Sequence, residues 1–152
     1  MLINDLQKAN IEAMKAKDQD ARSILSVVLT KYKLQEVEAR SQGKEIGDNE
    51  CLSIIQKVIK ELGDEKEGYL KVNNAERVAS ITKQEETLKS YLPKQLSLEE
   101  VKVKVNEIID QVGATSIKEM GKVMGAANKA LAGLSDGRTI STVVKELLGG
   151  SN

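Results

Sequence analysis

The chain of 152 residues has three tyrosines and no phenylalanine or tryptophan, so its core must consist of aliphatic side chains, which suits packed helices better than sheets. Basic and acidic residues number 23 each, and they balance within residues 1–92 (15 and 16) and within residues 93–152 (8 and 7), which excludes the overall basic charge of a dedicated nucleic-acid binder. With no histidine and one cysteine, Cys51, the chain lacks the residues for histidine catalysis, a cysteine metal cluster or an internal disulfide, so we expect no metal and no cofactor.

The sequence also gives expectations for location and order. It is polar from its fourth residue, and no apolar run is long enough to span a bilayer, so we expect neither a signal peptide nor a membrane partner. Together with the lone cysteine this indicates a cytoplasmic protein. Only the tail of residues 149–152 is expected to be disordered.

The N-terminal part is predicted to begin with two long helices. The first runs from Leu2 to about Lys17 and the second from about Asp18 to Gln42, where Gly43 and Gly47 mark its end. The side chains expected to face inward repeat at helical spacing: Ile3, Leu6, Ala13 and Met14 in the first helix, and Ala21, Ile24, Leu25, Val28 and Tyr32 in the second.

Two further helices complete this part. Asp48 is predicted to cap the third, and Gly63 and Gly68 predict a kink or an early stop near its end, because each costs about 1 kcal/mol relative to alanine. The fourth runs from about residue 74 to residue 92, where Pro93 forbids continuation and marks the boundary between two parts. The expected inward residues are Leu52, Ile55, Val58, Ile59 and Leu62 in the third helix and Val78, Ile81, Glu85, Leu88 and Leu92 in the fourth.

Three short helices are predicted after Pro93. The fifth begins with the capping box Ser97 to Glu100 and ends at Gly113, and a second capping box, Ser116 to Glu119, opens the sixth. Gly133 ends the sixth helix, and a turn at residues 136–137 leads into the last one. The inward residues are expected to be Val101, Val105, Ile108 and Val112, then Ile117, Met120, Met124, Ala127 and Leu131, then Ile140, Val143, Val144, Leu147 and Leu148.

These elements predict an all-α protein with two parts. Residues 1–92 form an N-terminal bundle of about four helices, and residues 93–152 form a compact three-helix module of about the smallest size that folds alone.

No sequence motif indicates catalysis. Acidic stretches such as residues 64–67 and 85–86 are typical of solvated helix faces. The stretch from Gly113 to Lys122 is not a Walker A loop, because its glycines are too far apart and neither serine nor threonine follows the lysine.

A pair of glycines, Gly121 and Gly125, is the most specific local feature of the sixth helix. Lying four residues apart, they share one face and together cost about 2 kcal/mol in helix propensity. The favoured explanation is close crossing by a neighbouring helix of the same module, and the alternative is backbone approach by a ligand or a nucleic-acid phosphate.

Five basic residues lie near that face: Lys118, Lys122, Lys129, Arg138 and Lys145. The three lysines of the sixth helix fall at positions i, i+4 and i+11, so they share an edge that could follow a sugar-phosphate backbone. A solvated polar face is the favoured alternative from sequence alone. This half has no aromatic residue for base stacking, so any RNA contact would depend on shape and phosphate.

Four short stretches resemble the GatB/YqeY family, specifically the free-standing YqeY-like proteins. They are residues 91–97 (YLPKQLS), 113–116 (GATS), 120–125 (MGKVMG) and 136–138 (DGR). The resemblance covers the whole chain and implies a C-terminal domain similar to the tail of the B subunit of tRNA-dependent amidotransferases, which helps to hold the tRNA. The residues that match by position are Gly121, Val123, Met124, Lys129, Gly133, Val144 and Leu147.

The catalytic module of those amidotransferases, which binds ATP and the acyl end of the tRNA, has no counterpart in this chain. The resemblance therefore implies a non-catalytic tRNA-binding or tRNA-associated protein without amidotransferase activity of its own. Two alternatives remain open: an adaptor that docks a protein partner through the N-terminal bundle, and an accessory factor that assists an amidotransferase, a carbon–nitrogen ligase with glutamine as amido donor, in trans.

Overall fold

The computed structural model describes residues 1–149, and within them the chain is all-helical, as predicted. Contacts divide it after Leu92 into two compact units. The N-terminal unit contains α1 (Leu2–Lys15), α2 (Gln19–Ser41), α3 (Asp48–Lys71) and α4 (Ala75–Lys89). The C-terminal unit contains α5 (Leu98–Val112), a 3-10 turn (Ile117–Glu119), α6 (Met120–Ala130) and α7 (Gly137–Gly149). Of the tail predicted to be disordered, Gly149 is helical, and residues 150–152 lie outside the described residues.

Short capped connections join the four helices of the N-terminal unit, an arrangement that places consecutive helices antiparallel. Lys17 adopts a left-handed conformation (φ 58°) after α1, and the Asp18 carboxylate then accepts a hydrogen bond from the Ala21 amide at 3.2 Å. Asn74 caps α4 in the same way, accepting from the Arg77 amide at 3.2 Å. Each cap satisfies an amide that the helix leaves without a partner.

The start of α3 differs from the prediction. The cap residue is Gly47, whose amide donates to the Glu50 carboxylate at 2.9 Å, and Asp48 is the first helical residue. The Asp48 carboxylate instead accepts from the Leu2 amide at 2.9 Å, so it stabilises the beginning of α1. A tertiary contact of this kind, 46 residues apart in the chain, has no local sequence signal.

The early stop predicted at Gly63 and Gly68 is wrong, because α3 continues to Lys71. Gly63 faces α4, where a Cβ atom would lie 3.9 Å from the Glu85 carboxylate. That carboxylate pairs with Lys66 of α3 at 3.1 Å, and both side chains are largely buried. Beyond Gly68, Tyr69 packs partly against the core, so tertiary contacts outweigh the glycine penalty of about 1 kcal/mol each.

The core of the N-terminal unit is aliphatic and confirms most of the predicted inward residues. All five predicted for α2 are buried. Met14 is a wrong prediction, being 48% exposed. In α3, Cys51 and Ile54 are buried, whereas the predicted Leu52 and Ile59 are only half-buried.

The C-terminal unit begins with the predicted capping box. The Ser97 hydroxyl accepts from the Glu100 amide at 3.2 Å, and the Ser97 amide donates to the Glu100 carboxylate at 3.0 Å. Hydrogen bonding by Ser97 to the Glu100 carboxylate, from the Ser97 backbone amide first and from its side chain second, lowers the pKa of Glu100. At the other end, Gly113 adopts the left-handed conformation (φ 71°) that ends α5.

A pair of hydrogen bonds ties the start of this unit to the loop between α6 and α7. The Leu96 amide donates to the Leu134 carbonyl at 2.9 Å, and the Gln95 side-chain amide donates to the Gly133 carbonyl at 2.6 Å. Gly133 is itself buried and left-handed (φ 76°), which favours glycine at this position.

The second predicted capping box is wrong. The Ser116 side chain makes no cap hydrogen bond, and residues 117–119 form a 3-10 turn before α6 begins at Met120. Glu119 accepts from the Thr115 amide at 3.2 Å instead. The tighter winding of the 3-10 turn changes the phase of the inward face, so Ile117 is 43% exposed. The buried residues of α6 and its end are Val123, Ala127 and Leu131.

Candidate nucleic-acid interface

The helix α6 has one face in the core and one in solvent. At about 100° per residue, Val123, Ala127 and Leu131 define the buried direction, and all three are almost completely enclosed. The opposite side carries Gly121, Lys122, Gly125, Asn128 and Lys129, which are all exposed. The glycines and two of the predicted lysines therefore share the solvent face.

The close helix crossing predicted for the glycine pair is wrong. A Cβ atom built on Gly121 or on Gly125 would meet no atom of residues 1–149 within 4 Å, so no helix described here requires a glycine at either position. Their cost in helix propensity is not offset by packing within the unit. Gly121 and Gly125 therefore form an exposed strip of helix backbone without side chains, the glycine strip, and approach by a ligand or a phosphate is the explanation that remains.

The three lysines are brought together only in part. Lys122 and Lys129 lie seven residues apart on α6, about 20° from alignment, so they share a face. Lys118 belongs to the 3-10 turn and not to the helix, so the predicted i, i+4 relation to Lys122 does not run along one continuous α-helix. Lys122 also donates to the Val112 carbonyl at 3.3 Å, where a cation interacts favourably with the C-terminal end of α5.

Arg138 and Lys145 lie on α7. They are seven residues apart, exposed, and opposite the buried side chains of Ile140, Val143 and Val144. The two helices α6 and α7 pack against each other, and each directs its cations away from the core.

In this region the acidic side chains have hydrogen-bond or ion-pair partners, whereas the basic side chains have no carboxylate partner among the described residues. Residues 117–149 contain five basic residues and three acidic ones. Glu119 accepts from the Thr115 amide, Asp136 accepts from the Thr139 amide at 2.6 Å, and Glu146 pairs with Lys102 of α5 at 3.7 Å. Among the described residues, none of the five cations has a carboxylate partner. The region therefore presents positive charge although the whole chain is neutral.

The residues that the sequence resemblance relates to the amidotransferase tail separate into two classes. Val123 and Val144 are fully buried, Met124 and Leu147 are half-buried, and Gly133 forms the loop described above. These five maintain the fold. Only Gly121 and Lys129 reach the solvent face.

Asn128 is a surface residue that the sequence analysis did not identify. It follows Gly125 by three residues and Gly121 by seven, so it lies on the same face of α6. That spacing was the available signal. An exposed amide side chain can both donate and accept hydrogen bonds, which complements the point charges of the lysines.

The surface of the N-terminal unit includes two large grooves. One, of about 420 Å³, lies among α2, α3 and α4, with Arg77 positioned 6.0 Å above the Tyr69 ring at its edge. The other, of about 770 Å³, lies among α1, α2 and α4 and has Ala9, Ala13 and Ala21 along its floor.

Within residues 1–149, no helix combines the length and the apolar character needed to cross a membrane. The family model of Yqey-like proteins matches residues 3–148. No curated protein sequence matches the chain significantly. Because the family match extends over nearly all of the sequence, the predicted resemblance is confirmed, and the chain belongs to the Yqey-like protein family.

Proposed function

We propose that this protein binds tRNA without catalysing a reaction on it, and that the solvent faces of α6 and α7 make the contact. The observation that supports the proposal best is the set of five cations without carboxylate partners, Lys118, Lys122, Lys129, Arg138 and Lys145. Phosphate contacts by lysine and arginine supply most of the affinity in non-specific nucleic-acid binding. The choice of tRNA comes from the resemblance to the amidotransferase tail.

The glycine strip supports the same proposal. Without a Cβ atom at Gly121 or Gly125, a sugar-phosphate backbone can approach α6 more closely than it could approach a helix with side chains there. Lys122, Lys129 and Asn128 flank the strip, and these side chains can reach phosphate or 2′-hydroxyl oxygens. Recognition would follow the shape of folded RNA, because residues 93–152 contain no aromatic side chain on which a base can stack.

A filter-binding or gel-shift assay with total tRNA at low salt tests the proposal. The test variant carries Lys118→Glu, Lys122→Glu and Lys129→Glu. The matched control carries Lys57→Glu, Lys60→Glu and Lys71→Glu, which reverse three exposed charges on α3 of the other unit. We expect tRNA binding by the wild type and the control, and loss of binding by the test variant.

The salt dependence of binding provides a second measurement. Each phosphate contact that is lost reduces the slope of log affinity against log salt by about 1. The three substitutions together should therefore reduce the slope by about 3. Absence of tRNA binding by the wild type, or equal slopes for the test variant and the control, would contradict the proposal.

A role as an accessory factor to an amidotransferase would use the same tRNA contact. It would appear as a change in the rate of the ligase when this protein is added. The triple variant should then lose the effect. An effect that persists in the triple variant would separate the two roles.

The adaptor hypothesis is favoured by one observation, the groove among α1, α2 and α4. Its rim carries Glu12, Asp18, Asp20 and Glu86 against one cation, Lys83, so its chemistry suits a basic helix of a partner protein. A partner that is retained by residues 1–92 alone and released by Glu86→Lys would support docking there. Retention by the C-terminal unit alone would argue against it.

The cytoplasmic location stays a prediction from the sequence.

A further inference from the structure

The outward face of α2 carries a seam of uncharged residues. Ser23, Val27, Thr30, Leu34, Val37 and Ser41 follow one another at alternating steps of four and three residues. This is the spacing of a coiled-coil seam, in which helices pack along a line that repeats every 3.5 residues. In a chain with 30% charged residues, an exposed helix face ordinarily has lysine and glutamate along its centre.

The seam points away from the core. At about 100° per residue, its mean direction is opposite to that of the buried Leu25, Val28 and Tyr32. Its two largest apolar side chains are well exposed, Leu34 at 67% and Val37 at 54%. After Tyr32, α2 continues for nine residues to Ser41 without burying any of them. Within the described residues, the seam positions from Thr30 to Ser41 are all exposed, whereas Ser23 and Val27 at its start line the groove among α2, α3 and α4.

The charges beside the seam are arranged for a second, reversed copy of the same helix. Lys31 lies three residues before Leu34 and Glu38 lies four residues after it, and both are on the same side of the seam. If two α2 helices pack antiparallel about a two-fold axis at Leu34, Lys31 of each copy comes opposite Glu38 of the other. The axial mismatch is one residue, about 1.5 Å, well within the reach of these side chains.

The other side of the seam does not oppose this arrangement. Lys33 and Arg40 lie there, and both pair with Glu36 of their own helix, at 3.7 Å and 3.8 Å. On the first side, Glu38 has no cationic partner among the described residues, and Lys31 has only a loose contact with Glu61 at 3.8 Å. An unpaired carboxylate beside an exposed leucine is a feature that a symmetric partner would satisfy.

We infer that this protein forms an antiparallel homodimer through the α2 seam, with Leu34 on the two-fold axis and Lys31 paired with Glu38 of the other copy. A contact formed by one helix from each copy is small, so we expect a weak dimer that dissociates on dilution. Isologous contact closes the assembly at two copies. The inference does not depend on RNA binding.

The experiment measures the mass of the full-length protein by sedimentation across a concentration series that reaches the millimolar range. Leu34→Asp should shift the equilibrium to monomer and leave the helical content unchanged, because Leu34 is 67% exposed and lies outside the buried core. Lys31→Glu alone and Glu38→Lys alone should each weaken the dimer. The double variant should restore it to the wild-type level. Glu61→Lys serves as a control for the intramolecular partner of Lys31.

Cysteine cross-linking tests the position of the axis. Leu34→Cys should form a disulfide-linked dimer under mild oxidation, since a residue on the axis meets its own copy. Val103→Cys, which is 57% exposed on α5, should not, and the wild type should not, because Cys51 is fully buried. A wild type that stays monomeric throughout the series would overturn the inference. So would a dimer indifferent to Leu34→Asp, failure of the double variant to restore association, or a Leu34 face that binds a different protein while the chain stays monomeric.

Discussion

Replacement of Gly125 by alanine should make the C-terminal unit more stable. Gly125 lies in the middle of α6, in ordinary helical conformation, and a Cβ atom there meets nothing within 4 Å in the part of the chain that the structure describes. Alanine therefore brings its advantage in helix propensity, about 1 kcal/mol, without a steric cost. Gly121 is the second residue of α6, where helix ends fray, so the gain from Gly121→Ala should be smaller.

For a unit of this size, about 1 kcal/mol corresponds to a rise in melting temperature of roughly 4–8 °C. Thermal unfolding followed by far-ultraviolet circular dichroism measures the shift. Gly68→Ala is the matched control, because Gly68 is also helical and exposed with nothing within 4 Å. It should give a similar gain in the N-terminal unit. The three tyrosines all lie in residues 1–92, so tyrosine fluorescence distinguishes which unit has been stabilised.

The refuting result is a loss of stability in Gly125→Ala. It would mean that the solvent face of α6 is covered. If the glycine is instead retained for close approach of RNA, Gly125→Ala should raise the melting temperature and lower tRNA affinity, a combination that packing alone cannot produce. Gly68→Ala should leave tRNA affinity unchanged.

Four other results are expected. Ser97→Ala should destabilise the C-terminal unit by about 1 kcal/mol, measured by urea unfolding. Because the pKa of Glu100 is lowered in the folded state, its contribution is present above the ordinary carboxyl pKa and is lost as the pH falls through the lower folded value, and Glu100→Gln should flatten this part of the pH profile. Cys51 is fully buried, and burial raises its pKa from 9.0 to about 11, so a thiol reagent should modify it only after unfolding. Rapid labelling of the native protein would contradict this protection of the thiol. The stability linked to the neutral thiol of Cys51 is fully present below pH 9.0 and is lost as the pH rises toward about 11. Leu131→Ala should cost about 2–5 kcal/mol, since Leu131 is fully buried, and should lower the circular dichroism transition of the C-terminal unit while tyrosine fluorescence keeps its midpoint.

The fold was predictable where one periodic pattern runs without interruption. In α2, the spacing of Ala21, Ile24, Leu25, Val28 and Tyr32 specifies the buried face completely. The prediction failed at α6, because a 3-10 turn shifts the phase between Ile117 and Val123 and a single-period pattern cannot represent such a shift. It failed at Gly63 for a different reason, since the Lys66–Glu85 pair that borders this glycine joins two helices.

The basic residues of the candidate site were predictable from the sequence, but the partners of the neighbouring acidic residues were not. The sequence identifies Lys118, Lys122 and Lys129 as a basic edge. It does not show that Glu119, Asp136 and Glu146 are engaged in caps and an ion pair, because these contacts depend on the turn geometry and on α5. Nor does spacing alone distinguish a glycine pair under a crossing helix from one in the open.

The hydrogen bonds at Gln95 and Leu96 set where the chain can be cut. A fragment that begins at Ser97 keeps the capping box of α5 and loses the donors to the carbonyls of Gly133 and Leu134. The carbonyls of Gly133 and Leu134, in the loop that orients α7 against α6, would then accept hydrogen bonds only from water. A fragment intended to fold and to bind RNA by itself should therefore begin at Pro93, four residues before the cap residue of α5, Ser97.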